Sequence, residues 1–585
     1  MASSKEFEIE INDVTWTYRK TNKPAITELN LKIRPGEIIF VTGPAGAGKT
    51  TLCRFMNSLI PHFYTGELKG KVLVRGMDTV DYPPEILCGH VGLIFDNPSN
   101  QLFNLTVFDE IAFGPENLCI PADKIREIVA DALKFCRLET YVNKTPHHLS
   151  GGEQQACALA SIMAMRPQIY VLDEPTANLD PFGTDLVLQR IEELFRAEKK
   201  TGIIVEHKLE RVARLADRMI VLDQGRIVLE GAPREVMQSV DKLLQLGLKV
   251  PQVTQLAYRL RKQGADIPSL PTQVEEGVET LSKLFDQHKL EVSNLESEKD
   301  KANFKGRAQN EREVLVDCQD ILYTYPDGTE ALKGVNLKVH KGDFLGLIGK
   351  NGSGKTTLAK IIKGIYSPTK GKVLISGKDL NDKTGIERAK TVGYVFQNPD
   401  DQIFCRTVRD EISFGLKYMK LPKAEIERLV GKAAATMEIE EFLDANPFNL
   451  SQGLRQRVAI ASMLVFEPEI FIIDEPTTGQ DFARAKIIMD VTEALHRAGI
   501  TILIVTHDME LIAEYANRLA VMKSGKILIE GSTREVFSKP EILIESSLKP
   551  PQITAMGQAL TKYGVPPDIL TTDEMEKILA VKKEN

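Results

Sequence analysis

The chain has 585 residues, enough for about four compact units at roughly 150 residues each. It is 43% hydrophobic and 26% charged, and these values exclude a globally disordered or collagen-like chain. Its 74 Lys and Arg residues against 81 Asp and Glu residues give a net charge of −7, which disfavours a protein that mainly coats nucleic acid.

Neither a membrane span nor a secretion signal is predicted. The sequence lacks a run of about 18 apolar residues, and its first residues, MASSKEFEIEIND, lack a basic segment followed by an apolar one. The seven cysteines are scattered and never form a C-x-x-C pair. We therefore expect no disulfide framework and no zinc site, and we expect a reducing cytoplasmic environment.

The chain repeats itself. GPAGAGKTTL at 43–52 matches GKNGSGKTTL at 349–358, and YVLDEPTANLD at 170–180 matches FIIDEPTTGQD at 471–481. Such self-similarity over long stretches predicts two homologous halves. The predicted boundaries are a first domain at 1–245, its helical extension at 246–285, a charged linker at 286–313, a second domain at 314–545 and its helical extension at 546–585.

Each half is predicted to be an α/β domain. Short β-branched runs such as EIIFVTG, YVLDEP and GIIVEH alternate with amphipathic stretches. Apolar runs of this length, bounded by turn signals and separated by helices, favour parallel strands that are buried on both faces. The predicted fold is therefore a parallel sheet with helices on both faces, occurring twice.

The first motif is a glycine loop, G-x-x-x-x-G-K-T, at 43–50 and again at 349–356. Because the loop follows an apolar strand and precedes a helix, its backbone N–H groups can converge on phosphate oxygens at the helix N-terminus. The lysines are predicted to reach the β- and γ-phosphates, and the following threonine hydroxyls to bind Mg²⁺. The predicted nucleotide-binding residues are Gly43, Pro44, Ala45, Gly46, Ala47, Gly48, Lys49, Thr50 and Thr51, and Gly349, Lys350, Asn351, Gly352, Ser353, Gly354, Lys355, Thr356 and Thr357.

Two further motifs follow each glycine loop at matching positions in the two halves. LSGGEQQ at 149–155 and LSQGLRQ at 450–456 would each be an ordinary helix cap if found alone. An apolar strand ending in Asp-Glu then reaches the edge of the sheet where open α/β folds bind ligands. The Asp is predicted to hold Mg²⁺, and the Glu to orient or deprotonate an attacking water. These carboxylates are Asp173 and Glu174 in the first half and Asp474 and Glu475 in the second.

In this order the motifs resemble the ATP-binding-cassette (ABC) ATPase family, with two ATPase domains fused in one chain. The resemblance implies that the signature residues of one domain close over ATP bound to the other, so that the two halves pair head to tail. It also implies a γ-phosphate contact from the histidine that ends a later strand, and adenine stacking by an aromatic residue ahead of each glycine loop. The implied residues are Ser150, Gly151, Gly152, Ser451 and Gly453 in the signatures, His207 and His507 as switch histidines, and Tyr18 and Tyr325 at adenine.

A repeated element narrows the resemblance further. NPSNQLF at 97–103 and NPDDQIF at 398–404 resemble the extra short helix of energy-coupling-factor transporters, which take up vitamins and cobalt or nickel ions. The alternative is that each sequence is an ordinary turn, because Asn-Pro dipeptides are typical of turns. The resemblance implies a protein on the cytoplasmic face of the membrane, with a transmembrane permease, a substrate-capture membrane protein, ATP with Mg²⁺, and no nucleic acid. A soluble tandem ATPase that acts on ribosomes or nucleic acid remains the alternative.

The same element predicts where a membrane partner binds. Each copy ends in an apolar pair, Leu102–Phe103 or Ile403–Phe404, beside a strand that a proline terminates. An exposed apolar pair at this place is a plausible docking surface for cytoplasmic helices of a permease.

The two ATP sites are predicted to be unequal. Asp96 occupies the position where the family, and this chain at Gln397, have a glutamine that completes the Mg²⁺ site. Gln452 interrupts the second signature where the family has glycine, and a side chain there hinders close backbone approach to phosphate. Both departures fall in the site that uses the first glycine loop, so we expect that site to be slower.

Overall fold

The computed structural model describes residues 6–582, except positions 20, 22, 97, 150, 177–178, 180, 213, 294–312, 397–398 and 477–481 and the side chains of Pro181, Phe182, Val212 and Gln452. The chain folds as two compact units. The first contains the residues up to Tyr258 together with Pro268–Gln273, and the second contains Arg259–Ile267 and the chain from Val274 onward.

The first half of the chain alternates strands and helices as predicted. Its strands are β1 (Ile9–Tyr18), β2 (Ile26–Ile33), β3 (Ile38–Thr42), β4 (Gly66–Val74), β5 (Met77–Asp78), β6 (Val91–Ile94), β7 (Ile169–Asp173), β8 (Thr201–Val205), β9 (Arg218–Asp223), β10 (Arg226–Gly231) and β11 (Leu290–Val292). Its helices are α1 (Lys49–Met56), α2 (Leu59–His62), α3 (Pro84–Leu87), α4 (Val107–Asn117), α5 (Ala122–Cys136), α6 (Gly151–Ala164), α7 (Pro181–Glu198), α8 (Leu209–Val212), α9 (Pro233–Gln238), α10 (Val240–Gln245), α11 (Gln252–Lys262) and α12 (Val274–Asp286).

The second half repeats the same order of elements, except that its described residues contain no counterpart of the short helix α2. Its strands are β12 (Val314–Thr324), β13 (Glu330–His340), β14 (Phe344–Gly349), β15 (Lys370–Ile375), β16 (Lys378–Asp379), β17 (Val392–Val395), β18 (Ile470–Asp474), β19 (Thr501–Thr506), β20 (Arg518–Lys523), β21 (Lys526–Ser532) and β22 (Leu579–Val581). Its helices are α13 (Lys355–Lys363), α14 (Gly385–Thr391), α15 (Val408–Lys417), α16 (Lys423–Thr436), α17 (Gln452–Leu464), α18 (Phe482–Arg497), α19 (Met509–Tyr515), α20 (Thr533–Phe537), α21 (Pro540–Glu545), α22 (Gln552–Ala559) and α23 (Thr572–Ile578).

The main sheet of each half has six strands and is mostly parallel. The strand orders are β10-β9-β3-β8-β7-β6 in the first half and β17-β18-β19-β14-β20-β21 in the second, with only β10 and β21 antiparallel. The central strands are buried along their whole length, because their apolar side chains face helices or a second sheet on both sides. The prediction of two parallel-sheet α/β domains is confirmed.

A four-stranded antiparallel sheet in each half was not predicted. Its strand order is β2-β1-β4-β5 in the first half and β13-β12-β15-β16 in the second. In the first half, Ile9, Ile11 and Trp16 of this sheet share one core with Phe55 of α1 and Val41 of β3. The helix that follows the glycine loop is thus held between two sheets, which fixes where the loop points.

Three helices form a separate layer in each half. In the first half, α4, α5 and α6 pack around a core that includes Leu102, Val107 and Cys157. In the second half, α15, α16 and α17 occupy the same positions. The signature sequences therefore begin helices that belong to this layer rather than to the sheet.

Part of the extension predicted for the first domain packs within the second unit. Strand β11 pairs antiparallel with β22, with Leu290 opposite Val581. The ring of Phe285 stacks on Tyr563, with centroids 4.7 Å apart and planes within 9°. The segment 290–292, within the predicted linker 286–313, is therefore a strand, and its alternating apolar residues pair despite the surrounding charge. The remainder of that linker lies outside the described residues.

None of the helices in the described part of the chain combines the length and the apolarity needed to cross a membrane.

We expect Tyr563→Ala to loosen this packed extension. The substitution removes a stacked aromatic pair and the hydrogen bond that the Tyr563 hydroxyl donates to Asp286 at 2.8 Å. The loss of about 1–2 kcal/mol predicts roughly tenfold faster hydrogen exchange in α12, measured by mass spectrometry. Tyr563→Phe keeps the ring and serves as the control; equal exchange in both variants and the parent chain would contradict the stacking argument.

Candidate functional site

The first glycine loop closes tightly around its own lysine. Gly43 has φ +155°, and a Cβ atom there would lie 2.2 Å from the carbonyl oxygen of Leu222, so only glycine fits. Lys49 is 7% exposed, and its Nζ donates to the carbonyl oxygens of Gly43 and Pro44 at 2.8 and 3.0 Å. The ammonium group is therefore held inside the concave loop, at the N-terminus of α1, where an anion would be attracted.

The second loop has the same geometry. A Cβ on Gly349 would lie 2.3 Å from the carbonyl oxygen of Met522. Lys355 Nζ donates to the carbonyl oxygens of Gly349 and Lys350 at 2.8 and 3.0 Å. The two predicted loops thus form equivalent anion sites.

The tyrosines predicted to stack on adenine lie beside these loops. The hydroxyl of Tyr18 is 3.1 Å from Thr51 Oγ1, and that of Tyr325 is 2.8 Å from Thr357 Oγ1. Both hydroxyls thus anchor on the helix that follows the loop. Trp16 is fully buried against Phe55, as expected for a packing residue.

Both strand-end aspartates are buried next to the loop threonines. Thr356 Oγ1 donates to Asp474 Oδ1 at 3.1 Å, and the hydroxyl of Thr50 is a hydrogen-bond partner of Asp173. Burial raises the pKa of Asp173 to about 7, with a further rise from the charges of Glu174 and Asp96, against the Thr50 hydrogen bond. Burial also raises the pKa of Asp474, against its hydroxyl hydrogen bonds.

The residues present fit a magnesium ion. A threonine hydroxyl and a carboxylate converge beside an anion-binding loop in each half, and Mg²⁺ in such sites takes one or two carboxylates together with substrate phosphate oxygens. The buried Asp173 Oδ1 has no hydrogen-bond partner among the described residues, so a hydrated cation would satisfy it. No group of three or more His, Cys, Asp and Glu side chains in the described ranges could hold a metal by itself.

Each glutamate after the aspartate pairs with the predicted switch histidine. His207 Nε2 is 2.9 Å from Glu174 Oε1, and His507 Nδ1 is 2.9 Å from Glu475 Oε2. Both glutamates have left-handed backbone conformations, φ +51° and +47°, which are strained for residues other than glycine and turn the side chain away from the strand. Burial alone would raise the pKa of Glu475, but the charges of His507 and Lys355 lower it overall. An ionised carboxylate at this place can accept a proton from water.

The signature residues that the structure describes lie at the starts of helices. Gly151 is the first residue of α6, and Ser451 caps α17 by accepting a hydrogen bond from the N–H of Leu454. A Cβ on Gly152 would lie 3.1 Å from Leu179, whereas Gly453 lies within the first turn of α17. Ser150, Gln397 and the side chain of Gln452 lie outside the described residues.

In each predicted docking pair, one residue is buried and the other is exposed. Leu102 and Ile403 are 2% and 3% exposed and belong to the cores of their halves, so the prediction that both residues of each pair are exposed is wrong. Each follows a 3₁₀ turn whose residues curl back onto the helical layer, which directs that side chain inward. Phe103 and Phe404 are each 60% exposed.

Asp96, predicted to approach the first Mg²⁺ site, is exposed and close enough for its charge to act on Asp173.

Several residues that shape these sites were missed from the sequence. Glu110 is 4% exposed and accepts the backbone N–H groups of Phe103 and Asn104 at 3.0 and 2.8 Å. Glu411 does the same for Phe404 and the next residue. The sequences FDEIAFG and RDEISFG contain a glutamate at the same position in both halves. This repetition could have indicated that both glutamates have the same structural role.

A buried tyrosine was also missed. The hydroxyl of Tyr394, on β17, donates to Asp474 Oδ2 at 2.7 Å. Both side chains are 2% exposed. Nothing in the sequence pattern of an apolar strand distinguishes a tyrosine that contacts the next strand's carboxylate from one that only packs.

Comparison with known proteins decides the family. A sequence profile described as ABC transporter matches residues 26–177 and 332–478, one segment in each half. The chain belongs to the ABC transporter family. It is an ABC ATPase with two ATP-binding domains that hydrolyse ATP in one polypeptide.

Relatives share the tandem length. A Methanosarcina acetivorans protein described as an ABC transporter ATP-binding protein is 39% identical over 98% of this chain and 94% of its own. A protein of the same description from Caldanaerobacter subterraneus subsp. tengcongensis is 40% identical over 95% of this chain and 96% of its own. A solved structure of CbiO1 from Clostridium perfringens, described as part of the ABC transporter complex CbiONQ, is 36% identical, covers 41% of this chain and 97% of that one, and gives a TM-score of 0.37.

The unequal carboxylates predict unequal turnover. In the full chain, Glu475→Gln should abolish nearly all ATP hydrolysis, whereas Glu174→Gln should leave a measurable fraction. The reason is that Asp96 adds a negative charge beside Asp173, and Gln452 interrupts the signature expected to complete that site, whereas the second site has neither departure. A lost catalytic carboxylate commonly costs ~10²-fold or more, so steady-state phosphate release resolves the two variants. Equal losses would count against inequality.

Proposed function

We propose that this ABC ATPase is the energy-coupling subunit of a membrane uptake transporter of the energy-coupling-factor type. The observation that carries the proposal is an exposed apolar patch in each half, next to the repeated Asn-Pro sequence and built on a phenylalanine pair at matching positions. The first patch consists of Phe103, Leu105 and Phe113, and the second of Phe404, Phe414 and Tyr418. A soluble protein rarely keeps such groups exposed in duplicate without a partner.

The patches have defined geometry. Phe103 packs edge-to-face on Phe113 at 4.8 Å between ring centroids, and Phe404 on Phe414 at 4.7 Å. Leu105 is 80% exposed and Tyr418 is 65% exposed. Because buried Glu110 and Glu411 hold the backbone beneath each patch, the aromatic side chains are presented in a fixed orientation. This supports docking of preformed apolar helices from a permease.

Each patch is also linked to a signature helix. In the first half, Ser99 Oγ donates to Gln154 Oε1 at 2.8 Å, and in the second half Arg455 pairs with Asp400 at 2.8 Å. Ser99 and Asp400 belong to the short 3₁₀ turns just before the apolar patches. A partner that moves the patch would thereby move the start of the signature helix, which supports mechanical coupling to ATP hydrolysis.

In the proposed chemistry, Lys49 and Lys355 bind the β- and γ-phosphates and the tyrosines stack on adenine. Thr50 with Asp173, and Thr356 with Asp474, would hold the Mg²⁺ that accompanies ATP, and this ion would neutralise phosphate charge. Glu475 accepts the proton of the attacking water, and His507 holds this glutamate in position while contacting the γ-phosphate. In the first half, Glu174 and His207 have the same roles.

The two halves are proposed to pair head to tail within the chain, because each carries a phosphate loop and a signature. The first loop would then be completed by Ser451 and Gly453, and the second by Ser150, Gly151 and Gly152. The proposed location is the cytoplasmic face of the membrane, beside a permease and a substrate-capture protein.

Charged substitutions in the patches should separate transport from ATP binding. Phe103→Asp and Phe404→Asp together should lower ATP-driven uptake by the assembled transporter by roughly tenfold or more, because they place a charge in an apolar interface. ATP binding by the chain alone should stay unchanged. Uptake into vesicles and fluorescent nucleotide titration measure the two quantities.

Ile544→Asp provides the matched control, because Ile544 is 69% exposed on α21 and outside both patches. It should leave uptake intact. Loss of nucleotide binding in the patch variant would mean that the patches stabilise the fold. Co-purification of the parent chain with ribosomes or RNA, in place of a multi-span protein, would favour the soluble alternative.

Head-to-tail pairing predicts a specific pattern of double variants. Ser451→Arg should add little to the defect of Lys49→Ala, because both damage the same composite site. Combined with Lys355→Ala it should remove the remaining hydrolysis, a further loss of roughly 10²-fold, because the two then damage different sites. The opposite pattern would show that each half uses its own signature.

A further inference from the structure

The two halves differ in how they hold the strand-end aspartate. In the second half, Asp474 accepts hydrogen bonds from two hydroxyl groups. Thr356 donates to Oδ1 at 3.1 Å, and Tyr394 donates to Oδ2 at 2.7 Å. Tyr394 and Asp474 are both 2% exposed, so water does not compete with these bonds. Each carboxylate oxygen therefore has a fixed partner.

The first half lacks the second of these bonds. Leu93 pairs with Val171 on β7 in the register in which Tyr394 pairs with Ile472 on β18, so Leu93 stands where Tyr394 does. A leucine offers no donor. Asp173 Oδ1 is buried and has no hydrogen-bond partner among the described residues, although Thr50 still bonds the carboxylate.

The difference acts on the orientation of the carboxylate. Rotation of an aspartate about its terminal torsion is nearly free, because this torsion has a broad energy profile. In Asp474, a hydroxyl partner on each of the two carboxylate oxygens restricts this rotation. The hydrogen bond from Tyr394 to Oδ2 leaves Oδ1 directed towards Thr356. Mutating a group that hydrogen-bonds to a metal ligand typically lowers metal affinity by roughly 10–100-fold.

We propose that Tyr394 is a positioning residue that fixes Asp474 for the Mg²⁺ bound with ATP in the second half, and that Leu93 leaves the first half without this support. The proposal rests on the proposed role of the second loop as an ATP site. It gives a structural cause for unequal sites in a residue that is buried within the sheet.

The test measures how much Mg²⁺ strengthens nucleotide binding at the second loop alone. The full chain carrying Lys49→Ala, which disables the first loop, is titrated with a fluorescent non-hydrolysable ATP analogue in Mg²⁺ and in EDTA. Adding Tyr394→Phe should reduce the gain in affinity that Mg²⁺ provides by roughly tenfold and leave the affinity in EDTA unchanged. The ring remains, so packing in the sheet is preserved.

Tyr515→Phe is the matched control. It removes another tyrosine–aspartate hydrogen bond in the same half, from the Tyr515 hydroxyl to Asp490 at 2.6 Å, away from the loop. It should change neither affinity. An unchanged Mg²⁺ gain in Tyr394→Phe would overturn the proposal, as would an equal loss in Mg²⁺ and in EDTA, which would indicate a purely structural role. If the Lys49→Ala chain itself binds no analogue, the proposed function of the second loop fails first.

Discussion

Both nucleotide sites depend on one constraint: a carboxylate has to stay buried at the end of a strand that is apolar on both faces. Asp173 and Asp474 are 3% and 2% exposed, and a charge removed from water to this extent is costly unless it is paired or hydrogen-bonded. In both halves, the threonine that follows the phosphate-loop lysine supplies a hydrogen bond to this carboxylate. The antiparallel sheet holds the loop helix against the parallel sheet, and so brings that hydroxyl to the carboxylate. A hydrated cation would complete the compensation.

The duplication preserved this backbone and let the side chains diverge. The two phosphate loops have the same strained glycines and the same lysine contacts within 0.1 Å, so the anion sites are equivalent. The carboxylates are not, since the second has a tyrosine partner and the first has the neighbouring charge of Asp96. The predicted inequality therefore lies in the environment of the proposed metal ligand, while the two phosphate loops have the same geometry.

The parts predicted from the sequence were those that depend on local backbone requirements. A glycine loop between strand and helix admits few structures, so its place and the convergence of Lys49, Thr50 and Asp173 followed from the order of motifs. The parallel sheets followed from short, continuously apolar strands. The burial of Leu102 could not be predicted from the sequence, because the direction of a side chain after a 3₁₀ turn depends on the packing of three helices.

Contacts between distant segments were equally beyond the sequence pattern. The hydrogen bond from Tyr394 to Asp474 joins residues 80 positions apart on neighbouring strands, and an apolar strand containing tyrosine looks the same with or without it. The pairing of β11 with β22 was hidden because three residues in a charged stretch carry too little periodicity to predict a strand.

The central claim, that one chain holds two equivalent phosphate loops with unequal hydrolytic centres, is tested most directly by locating the nucleotide trapped during turnover. The full chain is incubated with a photoreactive ATP analogue, Mg²⁺ and vanadate, then irradiated and digested, and the labelled peptides are assigned to either half. Trapped nucleotide should be attached mainly to peptides of the second half, around Tyr325. Equal labelling around Tyr18 and Tyr325 would contradict this claim.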